Sequence, residues 1–161
     1  MKQALLVQAT EMMPRLRDLY RRLHACPEVG FDLPQTRALI SEELTRLGIA
    51  HKTVGKGSIV ADLGEGKNRT LLRADMDALP ITEETTLPHA SKNGRMHACG
   101  HDLHTTALLG AAALLKERIS QGSMGVRLLF QPAEETLEGA LDAVESGVLS
   151  LIHISEPTRP Y

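Results

Sequence analysis

The stretch MHACGHDLHTT, residues 96–106, carries three histidines, one cysteine and one aspartate. A thiolate and an imidazole suit zinc or another late first-row divalent ion, and Cys99 and His101 offer that pair on either side of Gly100. Two protein ligands are too few to hold a catalytic ion, so further donors must come from elsewhere in the chain. FQPAEE, at 130–135, is one source: an apolar run ends at Gln131, Pro132 turns the chain, and Glu134 and Glu135 follow, expected to open a helix. TLLRADMDALP, at 70–80, is another, with Asp75 and Asp77 just before Pro80. Adjacent carboxylates point in different directions, so one can hold a cation while its neighbour takes a proton from water that the cation acidifies. Alone, the glutamate pair could simply complement a helix dipole. Beside Cys99, His101 and two strand-end aspartates, the chemical reading is favoured.

These groups need a scaffold that delivers them to one place. Residues 1–20 read as an amphipathic helix, with Leu5, Leu6, Val7, Met12, Met13, Leu16 and Leu19 at helical spacing. TRALISEELTRLG, at 36–48, reads as a second helix stopped by Gly48. HKTV, GSIVADLG and TLLRADMD have strand character and are separated by glycine-bearing turns. The loop 78–100 has no period, HTTALLGAAALLKERI is an apolar helix rich in small residues, GVRLLFQ is a buried strand, and AEETLEGALDAVESG is expected to be one more helix. The order predicts an α/β fold with a central sheet covered on both faces. Strand ends and their adjoining loops would then bring Asp, Cys, His and Glu to one edge, where α/β sheets place their sites.

A length of 161 residues fits one domain, and 42% apolar residues can fill its core. A formal charge of −2 argues against nucleic acid or an anionic membrane as partner, and no apolar run is long enough to span a bilayer. Two Phe, two Tyr and no Trp leave little aromatic surface for stacking. Cys26 and Cys99 do not make a disulfide framework, and residues 1–20 lack a signal peptide's apolar core, so a cytoplasmic setting is expected.

LLRADMDALPI, HACGHDLHTT and FQPAEE, in that order, resemble the metal-dependent amidohydrolases of the M20 peptidase family, in the branch of hippurate hydrolase and the indole-acetyl-amino-acid hydrolases. RRLHACPEVGFDLPQT, at 21–36, resembles the same branch's leading motif, and the likeness runs from about Leu16 to Val148. The resemblance implies a three-layer α/β/α catalytic domain with a mixed sheet, and hydrolysis of N-acyl amino acids to a carboxylate and a free amino acid. It implies two divalent ions in the intact protein (zinc, manganese, cobalt or nickel), a small-molecule substrate, and a homodimer or higher oligomer. By the same resemblance Cys99, His101 and Glu135 match metal ligands, Glu134 matches the general base, and Asp77 matches the carboxylate that buttresses the site. Asp75 stands where related branches carry a metal-binding histidine and is not taken as a ligand.

The remaining histidines have plainer expectations. His104 would begin its helix beside the site, His97 would be a locally hydrogen-bonded loop residue, His24 would be structural, and His51 and His89 would lie at the surface or a strand edge. Asp102 would hold a neighbouring imidazole or cap the following helix. Residues 149–161 resemble a translated transposase-type sequencing adapter, which would leave residues 1–148 as the N-terminal part of the catalytic domain and remove His153 from consideration. The family's further histidine ligands would then lie beyond this chain, the first expected near Arg159, as would its dimerisation domain, and the fragment alone would be inactive. Three alternatives stay open: a metal-dependent dipeptidase or carboxypeptidase, a non-hydrolytic metal-containing binding module, and a protein in which Cys99 is a nucleophile served by His97 or His101.

Overall fold

A computed structural model describes residues 2–65, 69–119 and 125–150. The expectations for 151–161, His153 and Arg159 included, lie outside the described residues. In chain order the elements are α1 (Lys2–Ala25), α2 (Pro34–Arg46), β1 (His51–Val54), β2 (Ser58–Leu63), β3 (Arg69–Asp75), α3 (His101–Ile119), β4 (Gly125–Gln131) and α4 (Gly139–Glu145). The strands form one sheet in the order β1-β2-β4-β3, with β3 and β4 parallel and the other pairs antiparallel. The α/β order agrees with the sequence pattern, and the mixed sheet agrees with what the resemblance implies. β3, α3 and β4 form a parallel crossover unit, and β3 borders the sheet with β4 as its one described neighbour.

Alternation along the strands divides the core. Ile59, Ala61 and Leu63 of β2 and Val126, Leu128 and Phe130 of β4 face one side, where they meet Leu19 and Leu23 of α1, Ile40 and Leu44 of α2, and Leu108, Leu109 and Ala112 of α3. Val60 and Leu129 face the other side and meet Ala143 of α4 and Val148, with Leu149 packed alongside. The second face is thus covered by one short helix among the described residues. Arg127 also faces that side, and a lone buried guanidinium there would be costly. Its register partner Asp62 accepts two bonds from it, at 2.7 and 2.8 Å, and the Val148 carbonyl accepts a third at 2.6 Å.

Helix ends follow local chemistry. α2 finishes at a glycine in the left-handed region: Gly48 has φ 63°, its N–H donates to the Thr45 carbonyl at 2.8 Å, and Ile49 N–H donates to Leu44 at 2.9 Å. Buried Ile49 and Leu44 complete that stop. At the other end of α2 the buried Glu28 carboxylate accepts the N–H groups of Gln35 (3.2 Å) and Thr36 (2.8 Å). α3 packs on α1 closely enough that a Cβ at Gly110 would stand 3.1 Å from Leu16 Cδ1, which explains the small residues in that helix.

Two expectations need correction. The apolar stripe assigned to α1 included Leu6, Val7 and Met13, but these are 67%, 52% and 40% exposed. α1 enters the buried cluster only at Leu19 and Leu23, while Gln8 in its first half meets Glu117 and Arg118 at the end of α3. The helix expected from Ala133 onward starts only at Gly139. Ala133 and Leu137 have φ of 54° and 61°, so residues 133–138 form a turned loop instead, closed by the N–H groups of Glu138 and Gly139 on the Ala133 carbonyl.

The β1–β2 turn locks onto α4. Lys56 N–H donates to Asp142 Oδ2 at 2.9 Å, and a Cβ at Gly55 (φ 55°) would lie 2.3 Å from that oxygen and 2.4 Å from Ser146 Oγ. Gly55→Ala is therefore expected to destabilise the fold by about 2 kcal/mol, from left-handed strain plus displacement of Asp142. A urea midpoint unchanged from the parent chain at equal m-value would contradict this.

Candidate metal centre

The parallel register sets Asp75 opposite Gln131, so β3 and β4 end side by side, and Met76 N–H extends the ladder to the Gln131 carbonyl at 2.9 Å. Residues 77 and 133–135 therefore emerge together at the carboxyl edge of the sheet. α3 starts at that same edge with His101, one turn earlier than the His104 start expected from sequence. Gly100, with φ 78°, lets the chain bend between Cys99 and the helix.

Asp77 is fully buried and organises the site twice over. Its carboxylate accepts the backbone N–H of Glu134 on Oδ1 at 3.0 Å and that of Glu135 on Oδ2 at 3.2 Å. This satisfies two backbone donors of the turned loop and fixes the loop that carries both glutamates. Its carbonyl accepts His101 Nδ1–H at 2.8 Å. That bond selects the imidazole tautomer whose Nε2 lone pair is free, as in metal-bound histidines. Burial pushes the Asp77 carboxyl up, but bonds from His101 and from those two amides outweigh it and hold its pKa low.

His101 Nε2 faces a ring of oxygens: Asp75 Oδ2 at 3.7 Å, Glu134 Oε2 at 3.8 Å and Glu135 Oε1 at 3.9 Å. The donor atoms of Cys99, His101 and Glu135 all lie within 4.8 Å of one another. Asp75, His101 and His104 form a second such group. The two groups differ in what is free. Asp75 Oδ1 already accepts His104 Nδ1–H at 2.6 Å, and its Oδ2 is 3.2 Å from the Arg73 guanidinium. Glu135 Oε1, by contrast, is buried and has no hydrogen-bond partner among the described residues. The set Cys99–His101–Glu135 therefore has the open donors.

The electrostatics ask for a cation. Burial lowers the His101 pKa, yet its bond to Asp77 and the charges of Asp75 and Asp77 push it up to about 9. The exposed Cys99 thiol is also raised, by its contact with Glu135 first and then by the charges of Glu135, Glu134 and Asp75. Two basic donors thus hold protons against a cluster of carboxylates, and a divalent ion would replace those protons. The donor set fits such an ion. Carboxylates that raise the thiol also make Cys99 a poor free nucleophile, which counts against that alternative.

Glu134 and Glu135 both reach His101 Nε2 but differ in exposure: the Glu134 side chain is 36% exposed and that of Glu135 is 19%. Glu134 is therefore the one open to a substrate or to water. The dipole reading of this pair does not apply, because no helix begins there.

Other histidines depart from expectation. His97 is buried, and neither ring nitrogen has a hydrogen-bond partner among the described residues, so it is not the locally bonded loop residue expected. The Leu79–Met96 bridge draws it inward, and burial lowers its pKa. His89 is not a plain surface residue, since its ring packs on Tyr20 and His24 with centroids at 5.8 and 5.3 Å. His51 sits at a strand edge with Nδ1 on the Ile49 carbonyl at 3.0 Å, as expected. Asp102 does both things foreseen for it, holding His24 Nδ1–H at 2.6 Å and accepting Leu103 N–H at 2.8 Å. Sequence reading passed over Glu28 and Glu83, both buried. An acidic residue beside Pro27 marks the first, but nothing local marks the second.

A sequence model of the peptidase family M20/M25/M40 matches residues 71–161. The chain belongs to this family. Among curated family relatives, an IAA-amino acid hydrolase ILR1-like 5 from Arabidopsis thaliana is 48% identical over 132 residues, covering 80% of this chain and 30% of that protein. N-acetyl-L-cysteine deacetylase from Bacillus subtilis (strain 168) is 47% identical over 147 residues, covering 89% and 35%. The chain thus spans about a third of the length of the curated relatives it matches. Among solved structures, a Bacillus subtilis protein described as a dinuclear metal binding peptidase from the M20 family superposes with a TM-score of 0.84 at 38% identity, over 94% of this chain and 45% of that one. Among the described residues, no helix is long and apolar enough to cross a membrane.

Proposed function

We propose that this chain is the metal-holding first part of a hydrolase that cleaves the amide bond of N-acyl amino acids, with N-acetyl or N-benzoyl derivatives as the substrate class. The observation that carries the proposal is the meeting of Cys99, His101 and Glu135 within 4.8 Å, with Glu134 open beside them. The names of the relatives, an amino-acid conjugate hydrolase and an N-acetyl-cysteine deacetylase, support the substrate class.

In this reading Cys99 Sγ, His101 Nε2 and a Glu135 oxygen hold one divalent ion. Two ions, of zinc, manganese, cobalt or nickel, serve the complete enzyme. Bound there, the ion supplies Lewis acidity for the amide carbonyl and acidity for water. Glu134 takes the proton of the attacking water and returns it to the leaving amine nitrogen. Asp77 holds the His101 ring and the Glu134–Glu135 loop in register. In this proposal residues 1–148 are the N-terminal part of the catalytic domain, with the rest of the site and a dimerisation domain supplied by sequence of the relatives' full length. A cytoplasmic setting suits an exposed thiol ligand such as Cys99.

An enzyme of that full length built on this chain is expected to hydrolyse an N-acyl-amino-acid panel, to lose at least nine-tenths of its rate (roughly a tenfold fall or more) in excess chelator, and to regain it on adding back a divalent ion. Turnover indifferent to chelator refutes the metal role. The ion binding without any cleavage of the panel refutes hydrolysis and favours a binding module. The 161 residues alone are expected to bind zinc weakly and turn over nothing.

A further inference from the structure

The proposed chemistry leaves a buried cluster beside the metal centre unused. His24, near the end of α1, is 6% exposed, and its two ring nitrogens each face a carboxylate: Nδ1 to Asp102 Oδ2 at 2.6 Å and Nε2 to Glu83 Oε1 at 3.1 Å. Both carboxylates are themselves withdrawn from solvent. A neutral imidazole donates from one nitrogen and accepts at the other, so it would turn a lone pair toward one of these anions. Only the imidazolium donates to both. Burial lowers the His24 pKa, but the bonds to Asp102 and Glu83 outweigh it and raise it above the ordinary histidine value. Tyr20 and His89 pack against the ring, with centroids at 5.4 and 5.3 Å, and close it off.

The connections of the two carboxylates matter most. Glu83 is the inward-turned residue of the long loop and also accepts Ser91 N–H at 2.6 Å and the Thr85 hydroxyl. Asp102 is the second residue of α3. One imidazolium therefore pins both ends of the segment 91–102: Ser91 through Glu83, and Asp102 directly. Cys99 and His101 lie inside that segment. Between the pins it touches the scaffold through the Leu79–Met96 bridge, through Asn93 Nδ2 on the Pro27 carbonyl at 2.9 Å, through Cys99 beside Glu135, and through His101 on Asp77.

We propose that His24 is a positioning residue for the metal centre: a buried imidazolium that clamps Glu83 to Asp102 and so fixes the segment carrying Cys99 and His101. The inference deepens the functional reading above, which supplies the metal role of those two residues. Its test needs neither metal nor substrate, so a failed hydrolysis assay leaves the clamp standing and a failed clamp leaves hydrolysis standing.

The experiment uses the metal-free 161-residue chain. Nitrogen-15 NMR of the histidine rings at neutral pH is expected to show His24 protonated on both nitrogens; a neutral ring there overturns the proposal. Amide hydrogen exchange is then compared between the parent chain and His24→Gln. The amides of Ser91 and Met96 are expected to exchange faster by about tenfold or more, the loss of hydrogen bonds to charged groups, while those of Leu128 and Phe130 in β4 keep their rates. A rise of equal size throughout β4 would mean that His24 serves global stability only, and no change anywhere would mean that it holds nothing. Should His24→Gln not fold, Glu83→Gln removes the loop half of the clamp alone and is expected to free Ser91 in the same local way. Uniform exchange in Glu83→Gln overturns the clamp as well.

Discussion

Glu134→Gln, in an enzyme of the relatives' full length built on this chain, is expected to lower kcat/KM by about 10²–10⁴-fold with metal content unchanged. The substitution preserves size and leaves the backbone N–H that Asp77 holds, so the loop geometry survives. What disappears is the capacity to take a proton. Glu134 Oε2 stands 3.8 Å from His101 Nε2, near the proposed ion, yet the side chain is open enough to reach water and substrate together. Steady-state rates on N-acetyl and N-benzoyl amino acids, paired with elemental analysis of the purified protein, check both halves. Full turnover in the variant removes Glu134 from the chemistry. Loss of metal along with activity would instead make it a ligand and force the roles of Glu134 and Glu135 to be exchanged.

Asp77→Asn should act on the fold and on the metal at once. Its carboxylate receives two amide N–H groups, one on each oxygen, and its side chain has no exposure to water. An asparagine offers one oxygen and turns an NH₂ toward the second amide, leaving a buried donor without an acceptor. The expected cost is about 1–3 kcal/mol of stability in the metal-free chain. The loop that loses its anchor carries Glu135, so metal affinity is expected to fall by about 10–100-fold, the usual effect of losing a residue that orients a ligand. The bond from His101 Nδ1 to the Asp77 main-chain carbonyl survives the substitution, but the carboxylate charge beside the ring, with Oδ1 3.6 Å from Nδ1, is lost together with the loop anchor. Urea denaturation and competition with a metallochromic dye measure the two effects. Parent-like values in both would show that these amides find other acceptors.

Much of this arrangement was legible in the residues themselves. Strand alternation, the glycine stop at Gly48 and the apolar face of α3 are local features, and local features decide those elements. The edge at which Asp77, Cys99, His101 and Glu135 meet was also readable, because strand ends and the loops beside them are marked by Pro80, Gly100 and Pro132. The loop at 133–138 was not. AEETLEG reads as a helix start, but Ala133 and Leu137 take positive φ, and the resulting loop is held by Asp77 from another strand end through the two glutamate amides. The exposure of Leu6, Val7 and Met13 was hidden for a related reason, since periodicity shows that a helix has an apolar side but not how far its neighbours extend along it. The clamp at His24 was the least readable, because Glu83 sits in a loop without period and its partner lies 59 residues away.

β3 has a further consequence for anyone handling this chain. Its row of N–H and C=O groups on the side away from β4 has no described strand against it, and Leu71 and Leu72 are only half covered. Parallel strands tolerate water poorly, and such a margin is a template on which a second molecule can zip up. Concentrated solutions of the 161 residues should therefore self-associate through this margin, and a proline or lysine placed along it, well away from the thiol and the imidazoles, would keep them dispersed.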